Sequence, residues 1–180
     1  MARARMSCVF PAQIQLVAAA NPCPCGWRGS PARDCRCDDA ATARYARRIS
    51  GPLLDRFDLQ VELRPVSWTE LDAPASAPAS REVRERVCRA RRRQALRSNG
   101  RHRTNAEIPD AELEVVIGAT SEARSLLGRA VERLGLSARA ARRTLRVART
   151  IADLAGEERT AELAVAEALG YRDRAAGLRP

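Results

Sequence analysis

The sequence predicts a mainly α-helical protein in which a partial α/β portion of about two strands precedes an all-α portion. Three observations carry that prediction. Short apolar runs of strand length stand at Ile14–Ala20 and Phe57–Leu63. A stretch rich in Pro, Ala and Ser interrupts the chain at 65–80, and beyond it apolar residues recur at three- and four-residue intervals. Strands carry a side-chain period of two and helices one of 3.6, so the change of period marks a change of architecture. The expected organisation is an α/β portion over 1–64, a linker over 65–80 and a helical domain over 81–175.

Ile14–Ala20 (IQLVAAA) is bounded by Gln13 and the Asn21-Pro22 turn, which suits a buried strand. From Asn21 to Asp39 the density of Pro, Gly and Cys excludes regular structure. Ala40–Ile49 is an expected helix, stopped by Ser50-Gly51-Pro52, and Pro52 opens a short helical turn over Leu53–Arg56. Phe57–Leu63 (FDLQVEL) alternates apolar and polar residues as a half-buried strand does. After the linker, Arg81–Arg97 is a strongly charged helix, and Pro109 opens another over Asp110–Gly118. Ser121–Leu134 places Ala123, Leu126, Leu127, Ala130 and Leu134 on one face. Ser137 is an N-cap for a helix reaching Leu154, with Ala141, Leu145, Ala148, Ile151 and Ala152 on its apolar stripe; Thr160 caps a last helix through Leu169.

With 180 residues and an apolar share of 45%, the chain can bury a core, and its 3% aromatic content makes that core one of Ala, Leu and Val. The net charge is +10, and all 32 basic residues are Arg. A GC-rich coding bias accounts for Arg in place of Lys. It does not account for the excess over 22 acidic residues, which favours a polyanionic partner such as DNA. No run approaches the roughly 20 apolar residues of a membrane span, so no membrane partner is expected. The N-terminal MARARMSCVFPAQ lacks the apolar core of a signal peptide, and a cytoplasmic setting is the expectation.

Six cysteines in such a setting point to metal or free thiols rather than disulfides. Cys23, Cys25, Cys35 and Cys37 lie within fifteen positions, a donor set suited to a closed structural Zn²⁺ site. Their CxC spacing departs from the commoner CxxC, and reduced loop thiols are the competing reading. Cys8 and Cys88 lie outside the group and read as small core residues.

Two polar residues have positions suited to phosphoryl-transfer chemistry. Asn21 follows the first apolar run, where a polar side chain can orient an attacking water; a simple turn role before Pro22 is the alternative. Arg56 stands between Leu53-Leu54-Asp55 and Phe57-Asp58, and an arginine offered to a neighbouring subunit can stabilise charge on a transferring phosphoryl group. The segments NPCPCG, CRC and RISGPLLDRFDL within Leu16–Val61, and LSARAARRTLRVARTIADLAG over Leu136–Gly156, resemble the magnesium-chelatase-like AAA+ ATPases of the ComM/YifB competence type. The resemblance covers residues 1 to about 172 and implies a partial α/β AAA+ core followed by an all-α lid domain.

That resemblance implies further roles. Asn21 corresponds to the sensor 1 residue, Arg56 to the arginine finger and, by similarity to related replicative helicases, Arg139 to sensor 2 in the lid. Arg3 and Arg5 fall in a segment that resembles a DNA-touching pore hairpin. Family members are hexameric ATPases thought to drive DNA branch migration during transformation, so ATP, Mg²⁺, DNA and a homo-hexamer are expected of the complete assembly.

The chain departs from that pattern in one decisive respect. A GxxxxGK[ST] phosphate loop needs lysine, and none is present. The polypeptide is therefore expected to be inactive alone, as a truncated product, a misassigned start or one part of a split gene completed by an N-terminal fragment. A different class of function is a stand-alone zinc-stabilised nucleic-acid-binding module using the four cysteines and the RARRR run at Arg89–Arg93. Arg142, Arg143, Arg146 and Arg149 read as a solvated helix face, and His102 as an exposed loop residue.

Overall fold

The computed structural model describes residues 2–3, 6–7, 14–74 and 77–172. It is mainly helical. Two residues from each of β1 (Ala2–Arg3) and β2 (Met6–Ser7) pair antiparallel, with Ala2 opposite Ser7 and Arg3 opposite Met6. The helices are α1 (Asp39–Ala46), α2 (Gly51–Leu54), α3 (Trp68–Asp72), α4 (Ser80–Arg97), α5 (Leu113–Ile117), α6 (Ser121–Leu134), α7 (Ala138–Ala155) and α8 (Glu162–Gly170), with a 3₁₀ turn at Asn105–Glu107 before α5.

The helix boundaries follow local chemistry. Asp38, Ser50, Ser67, Thr120 and Ser137 each turn a side-chain oxygen onto an otherwise orphaned backbone N–H of the first turn. α6 and α7 stop at Gly135 and Gly156, whose left-handed φ of 61° and 92° costs glycine little. The linker is not uniformly irregular. Ser67 and Glu70 form a reciprocal capping box that starts α3 inside it, a Ser-x-x-Glu signature that the Pro/Ala/Ser composition obscures.

The two expected strands are absent. Ile14–Ala20 and Phe57–Leu63 run without strand pairing, and Val17 and Leu63 are 84% and 85% exposed. A strand exists only through hydrogen bonds to a neighbour, and neither segment meets one among the described residues. What alternation encodes is the capacity to join a sheet. The backbone of Phe57–Leu63 meets the helical part at Gln60, whose N–H donates to the Tyr171 carbonyl at 2.9 Å.

The core belongs to the helical part. Ile108, Leu113, Ile117, Ala123, Leu127, Ala148, Ala152, Ala164, Val165 and Ala168 pack together, drawn from the end of the 3₁₀ turn and from α5 to α8. Four alanines on the facing stripes of α7 and α8 let their backbones approach closely, so small residues, not aromatics, fill this interior.

A buried polar network closes the same region. Arg149 and Asp153, one turn apart on α7, have side chains with 0% exposure and pair at 3.0 Å. Arg149 also donates to the carbonyls of Glu157 and Glu158 at 2.5 and 2.9 Å and to the Thr160 hydroxyl at 3.2 Å. Asp153 accepts from Asn105 Nδ2 at 2.9 Å and from Arg97. Thr160 does not cap α8: its hydroxyl donates to the Ile117 carbonyl at 2.7 Å, and its backbone bridges Ala119.

Three sequence expectations change here. The Arg142–Arg149 set is no solvated face. Arg142 and Arg146 both pair with Asp110 at 2.7 Å, Arg143 pairs with Asp58 at 3.0 Å, and Arg149 is buried, because each carboxylate is supplied from another element or the next turn. His102 is half-buried, its Nε2 3.3 Å from Glu112. Cys88 is exposed on α4 because that helix buries only Ala90 and Gln94. Cys8 lies outside the described residues.

Replacing Arg149 by Met should lower the stability of the helical part by about 3 kcal/mol, because Asp153 keeps a buried charge with fewer donors. Arg142→Ala, at an exposed pair, should cost less than about 1 kcal/mol; urea unfolding of both variants checks the difference. Asp110 is held below its ordinary value by the Arg146 hydrogen bond and the charges of Arg142 and Arg146. Its stabilising contribution is thus complete above about pH 4 and fades as pH falls through the lower folded value. Asp110→Asn should flatten the fall in Tm below that pH.

Candidate functional site

Cys23-Pro24-Cys25-Gly26 forms a tight turn closed by the Gly26 N–H on the Cys23 carbonyl at 3.0 Å. Gly26 takes φ 81°, a conformation that an L side chain resists. A second turn, closed by Ser30 N–H on the Trp27 carbonyl at 3.0 Å, carries Gly29 at φ 76° and sends the chain back. These two glycine turns return Cys35 and Cys37 to the first pair. All four Sγ atoms lie within 4.8 Å of one another, with Cys23–Cys25, Cys23–Cys35 and Cys25–Cys35 at 3.4, 3.7 and 3.6 Å.

Those spacings decide what the cluster can do. A tetrahedral ion with metal–sulfur bonds of about 2.3 Å needs sulfur–sulfur edges of about 3.8 Å. The three edges among Cys23, Cys25 and Cys35 match to within a few tenths of an ångström and Cys37 Sγ lies within 4.8 Å of each, so the four cysteines can hold a metal such as zinc. Cys23 is fully buried and the other three are partly so. Backbone N–H groups of Trp27 and Arg36 point at Cys25 and bring its pKa down to about 6. Cys37 receives the N–H of Cys25, but desolvation and the three neighbouring thiols together push it up to about 12. Four bare thiolates this close would repel one another, and a divalent cation among them relieves that repulsion.

The surroundings are basic. The Arg33 guanidinium stacks 5.4 Å from the Trp27 ring centroid. Among the described residues, no carboxylate pairs with Arg28, Arg33, Arg36, Arg44, Arg47 or Arg48. Pro24 and α1 frame an open groove of about 370 Å³ lined by Arg44, Tyr45 and Arg48.

The other expected site residues are dispersed. Asn21 is exposed beside Gly26, at the end of the extended Ile14–Ala20 segment. Arg56 follows α2 with an exposed side chain whose Nη1 donates to the Pro52 carbonyl at 2.8 Å. Arg139 is exposed in the first turn of α7. Among the described residues, no hydrogen bond joins any two of these three. Arg3 falls in β1, and Arg5 lies outside the described residues. The RARRR run is not one face: Arg89, Arg91 and Arg92 are exposed, whereas Arg93 reaches α7 and donates to the Asp153 carbonyl at 3.4 Å.

The sequence reading missed a second arginine cluster around Arg56. Arg143 on α7 donates from Nη1 to the Arg56 carbonyl and to Asp58 Oδ1, the latter at 3.0 Å. Arg172 is buried beside it, with Nε and Nη2 meeting no hydrogen-bond partner among the described residues and with Asp55 and Asp58 countering the loss of charge that burial favours. The DRFD order of Asp55 to Asp58 was the available signal, since two acids flanking an arginine invite basic partners. Among the described residues, no helix is long and apolar enough to cross a membrane.

Comparison with known proteins bears on these residues together. The family profile described as magnesium chelatase, subunit ChlI, matches residues 1–71, and that described as magnesium chelatase, subunit ChlI C-terminal, matches residues 77–172. Competence protein ComM of Haemophilus influenzae is 39% identical over 174 residues, covering 96% of this chain and 33% of its own. The uncharacterized protein Mb2921c of Mycobacterium bovis is 42% identical over 171 residues, covering 93% and 33%, and YifB of Escherichia coli is 38% identical over 176 residues, covering 96% and 33%. The chain thus spans about a third of the length of the curated relatives it matches. Matched by both profiles, from the cysteine cluster through the helical part, the chain belongs to the magnesium chelatase ChlI family.

Proposed function

We propose that this chain acts as the C-terminal part of a ring-forming ATPase subunit that moves DNA, and that it contributes outlying groups to nucleotide sites. The observation that carries the reading is the single collinear match to Competence protein ComM, which runs through the cysteine cluster, the Arg56 segment and α7. In that reading Arg56 is offered to the nucleotide of a neighbouring subunit, where a guanidinium stabilises charge developing on the transferring phosphoryl group. Exposure of Arg56 supports this, since a side chain sealed beneath the helices could not reach a neighbour. Asn21, also exposed, orients the attacking water, and Arg139 senses the phosphates from the lid. With no lysine, the chain supplies no phosphate loop, so it does not hydrolyse ATP by itself.

The four cysteines hold Zn²⁺ in this reading. Cys23, Cys25, Cys35 and Cys37 complete a tetrahedron and leave no open position, so the ion staples the loop rather than performing chemistry. The staple fixes the loop between Asn21 and α1, on a stretch with no hydrophobic core of its own.

A second reading is a zinc-stabilised nucleic-acid-binding module, favoured by the six carboxylate-free arginines around the cluster and α1. DNA is the partner in both readings. They differ in whether affinity survives in the isolated chain.

Three measurements follow. In a chimera with this chain replacing the matching third of Haemophilus influenzae ComM, Arg56→Ala should lower ATPase kcat by about 10³-fold or more with little change in KM. Unchanged turnover would remove the finger assignment. Purified chain should carry one Zn²⁺ by elemental analysis, and Cys23→Ser should lose it; a metal-free, folded wild type contradicts the staple. Tight DNA binding by the isolated chain that falls steeply with salt, and falls again in Arg44→Ala/Arg48→Ala, would favour the module.

A further inference from the structure

The segment that carries Arg56 is held to the helical part by two sets of hydrogen bonds, with a buried guanidinium nearby. Arg143 donates to the Arg56 carbonyl and pairs with Asp58 at 3.0 Å. Gln60 N–H donates to the Tyr171 carbonyl, just beyond α8, at 2.9 Å. Arg172, 6% exposed, adds its charge next to Asp55 and Asp58. Within the segment, Arg56 Nη1 returns to the Pro52 carbonyl, so the guanidinium rests on its own turn while its backbone is held from α7. The Phe57–Leu63 segment has no strand neighbour among the described residues, so these contacts are what tie it to the helical part.

We propose that Arg143 is a positioning residue: it clamps the Arg56 turn onto α7 and thereby sets where the Arg56 guanidinium is presented. The proposal extends the reading of Arg56 as an arginine finger and rests on it for its catalytic consequence, though the clamp itself does not. A guanidinium suits the task because the two N–H groups of Nη1 lie in a fixed plane and reach a carbonyl and a carboxylate at once, which an ammonium on a flexible stem does less well. The clamp also has a mechanical consequence. Arg139 lies one turn before Arg143 on the same helix, so a tilt of α7 that follows phosphates at Arg139 moves the Arg56 turn as well. A nucleotide felt by the lid would thereby alter the arginine offered to the neighbouring subunit.

The first test is hydrogen–deuterium exchange on the purified 180-residue chain. In Arg143→Ala, amides of 53–60 should exchange about tenfold faster, the worth of one or two charge-assisted hydrogen bonds. Amides of Ala148 and Ala152 should keep their protection, and Arg142→Ala should leave 53–60 as in the wild type. Unchanged exchange at 53–60 in Arg143→Ala overturns the clamp. If Arg143→Ala also exposes α7, Asp58→Asn decides: faster exchange confined to 53–60 supports the clamp, and wild-type exchange overturns it.

The second test uses the chimeric ATPase. Arg143→Ala should lower kcat about tenfold or more at constant KM, and Arg143→Lys should recover part of the loss. If Arg56→Ala lowers kcat and Arg143→Ala does not, the positioning role is wrong. If exchange rises as expected while neither substitution changes kcat, the clamp stands and the finger reading fails.

Discussion

The helical part depends on one buried ion pair. Arg149 and Asp153 sit one turn apart on α7 with no exposure, and removing two charges from water is costly unless every lone pair and proton finds a partner. Here the partners come from everywhere around α7: Arg97 of α4, Asn105 of the 3₁₀ turn, and the carbonyls and hydroxyl of the 157–160 turn leading to α8. An apolar substitute of similar volume can pack as well, but it would not fix the register of four elements at once. The alanine stripes of α7 and α8 pack closely yet say little about sliding, and the polar network supplies the missing specificity.

The part before α4 is built on a different principle. It has no comparable core: Ile14, Val17, Val61, Leu63 and Trp68 are all exposed. What orders it is local and chemical, namely two glycine turns, four converging thiols, capped short helices and an arginine clamp. The apolar surface of Ile14–Ala20 and Phe57–Leu63 has the period of a sheet without the sheet. The Arg56 turn lies between these regimes, attached through Arg143 to the well-packed part while its side chain faces outward.

Much of this was legible in the residues, and the failures have physical causes. The cap at Ser137 and the apolar spacing of α6 and α7 are local signals, and the structure follows them within a residue or two. The four cysteines were legible because ligand type and count need no tertiary information. Phe57–Leu63 misled because alternation encodes one side of an interaction whose other side lies in a neighbour. Arg149 misled because a guanidinium reads as solvated until its carboxylate is found. Its Asp153 was only four residues away, but the carbonyls of 157 and 158 become acceptors only once Gly156 turns the chain. Arg143 and Asp58 are 85 positions apart, and no pattern in one sequence links them.

The proposed function turns on Arg56 serving a nucleotide bound by another subunit. Mixing two kinds of inactive subunit tests it most directly: chimeras carrying Arg56→Ala, and chimeras disabled in the phosphate-binding loop of the ComM portion. If Arg56 acts across the interface, ATPase activity reappears in the mixture, since an intact loop from one meets an intact arginine from the other. Activity that stays absent at every mixing ratio, in rings shown to contain both subunits, would contradict it.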